Sequence, residues 1–210
     1  MVFIIMKTLV LLLFSVMGFA ETVSSTVSKN TQTLVIIGDS ITEGLGVKTE
    51  DTYPAVLQIK AQEAHKNWKI MNHGISGSTS ASALSRVRWV LKTPPQIAIL
   101  ALGANDGLRG LSPENTETNL DQAITLLKNS KVKIFLAGMK MPPNYRGKFR
   151  DEFELIFPKL AKKHQIKLIP FLLEGVAGIA ELNQKDGIHP NAKGHAIIAD
   201  TIYKYIQQEL

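Results

Sequence analysis

The stretch LVIIGDSITEG, residues 34–44, opens on an unbroken apolar run, Leu34 to Ile37, and then turns through Gly38, Asp39 and Ser40. A strand with one wet face alternates apolar and polar residues, whereas a strand covered on both faces reads as a continuous run. The same pattern recurs outward along the chain, at KIMNHGI (69–75), IAILALG (97–103), KIFLAGM (133–139) and KLIPFLL (167–173). These segments predict a parallel sheet of five strands. Pro170 cannot donate to a ladder, which puts the fifth strand at an edge.

Helical patterns separate the runs. Leu84, Val87 and Leu91 share one face, as do Leu120, Ile124 and Leu127, and then Phe149, Phe153, Ile156 and Leu160. Ser112-Pro113-Glu114 reads as an N-cap, a first-turn proline and an early acid. A last helix is expected from about Pro190, burying Ile198, Ile202, Tyr205 and Ile206. Alternating strands and helices predict an α/β fold, a three-layer α/β/α sandwich of the flavodoxin-like kind.

The chain has 210 residues and begins MVFIIMKTLVLLLFSVMGFA, in which Lys7 precedes a mostly apolar segment from Thr8 to Ala20. That segment is shorter than the roughly 20 residues of a membrane span and fits the core of a signal peptide. Gly18 and Ala20 supply small residues where a signal peptidase reads, so cleavage is expected after Ala20. A start at Met6 would give a more ordinary leader, and a retained membrane anchor is the alternative. The expected organisation is a signal peptide over residues 1–20, a flexible linker over 21–33 and one domain over 34–210. The product is then exported, to the periplasm or the medium, without stable membrane insertion. With no cysteine, neither disulfides nor a lipidated N-terminal cysteine are available. The net charge of +6 is spread along helices rather than gathered with aromatics, which argues for a solvated surface and against a nucleic-acid groove.

Ligands of such sheets bind beyond the carboxyl ends of the strands. There the sequence delivers Ser40 after the first run, Gly77 after the second, Asn105 and Asp106 after the third, and Asp186 with His189 after the fifth. A serine hydroxyl needs a base to take its proton, and an imidazole needs a carboxylate to fix its tautomer. Ser40, His189 and Asp186 can fill these roles. The N–H groups of Ser40 and Gly77 and the side-chain amide of Asn105 can receive the oxyanion of an attacked carbonyl.

In order and spacing, GDS (38–40), NHGISG (72–77), GAND (103–106) and DGIHP (186–190) resemble the SGNH, or GDSL-type, hydrolase family. Residues 141–164, MPPNYRGKFRDEFELIFPKLAKKH, are similar to its periplasmic thioesterase, arylesterase and lysophospholipase branch. The resemblance spans about residues 34–205 and implies the SGNH fold, with the family's four residue types at Ser40, Gly77, Asn105 and His189 and with Asp186 completing the triad. It implies hydrolysis of small-molecule esters or thioesters, including lipid-derived ones, without metal or organic cofactor; separately, an open sheet with a short edge strand is compatible with a monomer. Ile41 stands where the motif has leucine, and the loop after Ser40 has its own sequence.

Other readings compete. The Ser-Asp-His order also occurs in α/β-hydrolases, but GISGS at 74–78 lacks the final glycine of a nucleophile elbow. A metal-dependent phosphoesterase would need a D-x-H after the first strand, which GDS does not provide. A non-catalytic exported binding domain would leave the four site residues without a shared purpose. His65 and His164 are expected on the surface, His73 in a structural hydrogen bond, and His195 in packing or on the surface. Asp39, Asn72 and Asp106 are expected to support loops by accepting hydrogen bonds. Lys140, Arg146, Lys148 and Arg150 cluster after the fourth run, and Arg146 and Lys148 are candidates for attracting an anionic headgroup or leaving group, weighed against plain solvation.

Overall fold

The computed structural model describes residues 31–142, 145 and 147–208. The leader, its cleavage point and Arg146 lie outside the described residues, as does most of the expected linker. Five strands form one sheet: β1 (Gln32–Gly38), β2 (Trp68–Gly74), β3 (Ile97–Ala101), β4 (Lys133–Ala137) and β5 (Lys167–Ile169), in the order β2-β1-β3-β4-β5. All four pairings are parallel. β1 starts two residues before the expected domain boundary, where the Gln32 N–H donates to the Asn67 carbonyl.

Burial explains the uninterrupted apolar runs. Every residue of β3 is buried, as are Leu34 to Gly38 of β1 and Ile134 to Ala137 of β4. β2, at the edge, is only partly covered. β5 stops at Ile169, because Pro170 brings no N–H to continue the ladder. The run to Leu173 is therefore not one strand: Leu172 leaves the sheet while its N–H still reaches the Gly138 carbonyl.

Among the described residues seven α-helices follow in chain order: α1 (Ser40–Glu43), α2 (Tyr53–Glu63), α3 (Ala83–Val90), α4 (Ala104–Leu108), α5 (Pro113–Asn129), α6 (Lys148–His164) and α7 (Ala192–Ile206). α2 packs on α7 and β2, while α5 lies between α3 and α6, which gives the two outer layers of the sandwich. The Ser112 hydroxyl accepts the Asn115 N–H, so α5 begins at the expected cap. α6 runs through Pro158, which removes one N–H from the helix ladder without ending it.

His164 departs from the surface expectation. It is 8% exposed, and its Nε2 lies 2.7 Å from Asp121 Oδ1. Lysines flank it in sequence, but the packing of α6 on α5 turns this position inward. His65 is exposed as expected.

β1 has β2 on one side and β3 on the other, so the connections diverge at its carboxyl end. That divergence opens a crevice where ligands of open α/β sheets bind.

Candidate active site

Ser40 begins α1 immediately past β1 and is 8% exposed. Asp39 caps the helix by accepting the Ile41 N–H at 3.0 Å. Gly38 is required here because a Cβ would stand 1.8 Å from the Thr42 hydroxyl oxygen. Ser40 Oγ lies 2.9 Å from His189 Nε2, and His189 Nδ1 lies 2.7 Å from Asp186 Oδ2. The other Asp186 oxygen accepts the N–H groups of Ile188 and His189, both at 3.0 Å. These bonds, the His189 N–H and ring first and then the Ile188 N–H, pull the Asp186 carboxyl down to about 2. Asp186 is thus ionised where it can hold the imidazole, although it is itself exposed.

The loop that carries this pair is fastened on both sides. Asn191 Oδ1 caps α7 by accepting the N–H groups of Lys193 and Gly194, and its Nδ2 donates to the Glu181 carbonyl at 2.9 Å. Gln184 Nε2 donates to the carbonyls of Leu45 and Pro190 at 2.6 and 3.0 Å, joining the loop after α1 to the DGIHP segment.

Gly77 adopts φ +75°, a left-handed conformation that glycine reaches without strain. Its N–H has no partner among the described residues. Asn105, at the start of α4, donates through Nδ2 to the Ser78 carbonyl at 3.0 Å. The loops that carry Gly77 and Asn105 are tied by the buried Asp106, which accepts the Ser80 N–H at 2.8 Å, the Ser80 hydroxyl at 2.5 Å and the Thr116 hydroxyl at 3.2 Å. Asn72 accepts the Gly74 N–H at 2.9 Å. The loop-supporting roles expected of Asp39, Asn72 and Asp106 correspond to these bonds.

Arg86 of α3 donates to the carbonyls of Gly38 and His73 and so braces the ends of β1 and β2 beside Ser40. It was not singled out in the sequence, because an arginine on an amphipathic helix reads as a solvated charge. Asp39 Oδ2 is buried with no hydrogen-bond partner among the described residues. Burial pushes the Asp39 carboxyl up to about 6, offset in part by the Ile41 N–H and by the charges of His189 and Arg86. His195 is buried: its Nδ1 accepts the Tyr53 N–H at 3.1 Å, and burial lowers its pKa to about 4. The His73 ring lies against Trp89 at 5.1 Å, and burial and then the Arg86 charge depress its pKa.

A cavity of about 350 Å³ opens beside the triad, lined among others by Ile41, Leu108, Met141, Phe153, Phe171 and Ile188. Its mostly apolar wall includes Ile41 and Ile188, the chain neighbours of Ser40 and His189. A larger groove of about 510 Å³ is lined by His73, Ile75 and Trp89; Ser40 and His189 themselves are in the wall of neither space. Of the basic cluster, Lys140 and Arg150 line the cavity. Lys148 does not: it is exposed and pairs with Glu152 at 3.3 Å. Among the described residues no group of three or more His, Cys, Asp or Glu is arranged to hold a metal ion, and no helix is long and apolar enough to cross a membrane.

A serine, an imidazole and a carboxylate in hydrogen-bonded sequence are an arrangement suited to acyl transfer. Comparison with known proteins agrees. The model of the GDSL-like lipase/acylhydrolase family matches residues 36–197. Esterase TesA of Pseudomonas aeruginosa is 36% identical over 160 residues, 76% of this chain and 80% of that protein. Thioesterase 1/protease 1/lysophospholipase L1 of Escherichia coli is 37% identical over 176 residues, 83% of each. The crystal structure of AlinE4, an SGNH-hydrolase family esterase, superposes with a TM-score of 0.71 at 39% identity, covering 86% of this chain and 97% of that one. The chain belongs to the GDSL-like lipase/acylhydrolase family, the SGNH hydrolases, and is an ester or thioester hydrolase.

Proposed function

We propose that this hydrolase is an exported monomer that works through an acyl-enzyme on Ser40. The observation that carries the reading is the continuous chain from Ser40 Oγ through His189 to Asp186, at 2.9 and 2.7 Å. His189 Nε2 takes the Ser40 proton as Oγ attacks the carbonyl, and the ionised Asp186 steadies the imidazolium through Nδ1. The tetrahedral oxyanion is received by the N–H groups of Ser40 and Gly77 and by Asn105 Nδ2. His189 then passes its proton to the departing alcohol or thiol, and water repeats the sequence to release the acid. The chemistry needs no metal or organic cofactor.

The substrates are carboxylic esters or thioesters of acyl-thiol or lysophospholipid type, classes named for the relatives, together with aryl esters such as those an arylesterase of Vibrio mimicus, 34% identical over 187 residues, is named for. The apolar cavity beside Ile41 and Ile188 favours an acyl chain. Lys140 at its wall is better placed than Lys148 to meet an anionic group, whereas Arg150, also at the wall, is paired with Glu154 at 2.9 Å. Residues 1–20 act as the export signal, with cleavage near Ala20 and a periplasmic or secreted product.

The test is hydrolysis of a short-chain p-nitrophenyl ester, with a chelator present, by the mature protein and by Ser40→Ala. Activity lost only in the variant supports the serine mechanism. Equal activity in both, or loss to the chelator in the unaltered protein, overturns it. Labelling of Ser40 in the unaltered protein by a fluorophosphonate, read as intact mass, identifies the nucleophile, and thermal unfolding of Ser40→Ala separates a lost nucleophile from a lost fold.

A further inference from the structure

We propose that Arg109 is a positioning residue for the oxyanion donors, holding the Asn105 amide and the Gly77 turn in one frame. The inference rests on the oxyanion role given above to Asn105 and Gly77. Arg109 follows α4 and stands four residues after Asn105, with its N–H on the Asn105 carbonyl at 3.1 Å. Its Nη2 donates to the Gly77 carbonyl at 3.1 Å and to Asn105 Oδ1 at 3.3 Å. A single guanidinium nitrogen thus joins two loops that leave different strands.

The two ends of the Asn105 amide are fixed by partners that cannot exchange roles. Guanidinium can only donate and so faces Oδ1, while the Ser78 carbonyl can only accept and so faces Nδ2 at 3.0 Å. One Nδ2 hydrogen is then committed to Ser78, and the second is left to point at a developing oxyanion. Without Arg109, the amide would keep one tether and could turn about its last side-chain bond. A donor has catalytic value in proportion to how little it must reorganise, so this lock acts on the transition state more than on substrate binding.

Charge adds to geometry. Among the described residues no carboxylate pairs with Arg109, so its positive charge polarises the Asn105 amide and strengthens its remaining N–H as a donor. Its backbone is steadied in turn, because the Tyr145 hydroxyl donates to the Leu108 carbonyl at 3.0 Å.

The experiment is a double-mutant cycle on a p-nitrophenyl ester, with kcat and KM measured for the unaltered enzyme, Arg109→Ala, Asn105→Ala and the double variant, and for Arg109→Lys. Arg109→Ala should lower kcat by about tenfold with KM changed less than about twofold, the size of one lost charge-assisted hydrogen bond. In the Asn105→Ala background the same change should cost less than about threefold, because one of the two groups it positions is gone and only its hold on the Gly77 turn is left to lose. Arg109→Lys, which keeps the charge and can reach one acceptor, should recover part of kcat. An equal loss in both backgrounds, or a raised KM with unchanged kcat, overturns the proposal. If Asn105→Ala itself keeps full activity, the oxyanion reading fails and Arg109 loses its role with it.

Discussion

Replacing Asp39 by asparagine should change how the stability of this protein depends on pH, by an amount that follows from one buried oxygen. Asp39 is 1% exposed, and of its two oxygens only Oδ1 is bonded, to the Ile41 N–H. Burial raises the carboxyl from 3.8 in the unfolded chain to about 6 in the fold. The folded state therefore holds a proton through a window in which the unfolded chain has lost it. Stability contributed by protonated Asp39 is complete below 3.8 and disappears as pH rises through 6, a cost of roughly 3 kcal/mol at neutral pH. His195 works in the opposite sense. Burial depresses it from 6.5 to about 4, so the unfolded chain protonates first and stability falls as pH drops through that window, again by roughly 3 kcal/mol. In the unaltered protein the two slopes nearly cancel. In Asp39→Asn the His195 slope remains, with the depressed His73 adding in the same sense, and the variant should lose at least roughly 3 kcal/mol relative to its own neutral-pH value on acidification to about pH 4. Urea unfolding at intervals between about pH 4 and pH 7.5, followed by tryptophan fluorescence, measures both curves. Two curves that stay parallel within about 1 kcal/mol would refute the assignment of a strongly raised Asp39.

Three further outcomes are expected. Asn105→Ala should lower kcat by roughly 10²–10³ in a folded protein, the cost of one oxyanion donor, and a loss under about threefold would remove that role. Gly74→Ala should destabilise the protein by several kcal/mol and depress activity with it, since a Cβ there would stand 2.0 Å from the Glu43 backbone nitrogen in the helix that begins with Ser40. Thermal unfolding decides this, and an unchanged midpoint would show that α1 can move away from β2. Lys148→Glu should leave the rate on an anionic ester within about twofold, while Lys140→Glu, at the cavity wall, should lower it more at low salt than at high salt. The reverse ranking would return the anion-attracting role to Lys148.

The sheet was legible in the sequence because a strand buried on both faces must be apolar throughout, and β1, β3 and β4 are such strands. β5 was overestimated for the same reason, since Phe171, Leu172 and Leu173 stay apolar in order to pack the cavity wall and the core beyond Pro170. His164 was misjudged because local charge describes chain neighbours, whereas its environment is supplied by Asp121 on another helix. The candidate site was legible as a set of residue types, each following an apolar run. What the runs could not convey is which supporting side chain reaches which loop. Arg109, at helical spacing from Asn105, carried a faint signal, but Arg86 and Gln184 carried none, because their partners are backbone carbonyls that look alike in every sequence.

The sequence alone determined the layers of the fold and the edge of the sheet where the site-bearing residues gather, because periodicity and strand ends are local properties that burial imprints residue by residue. Tertiary structure decided the rest: the 2.9 Å approach of Ser40 to His189, 149 positions apart, the cavity beside them, and the raised carboxyl of Asp39. Distances, enclosed volume and desolvation depend on atoms brought from many segments at once, and such quantities exist only after the chain has closed on itself.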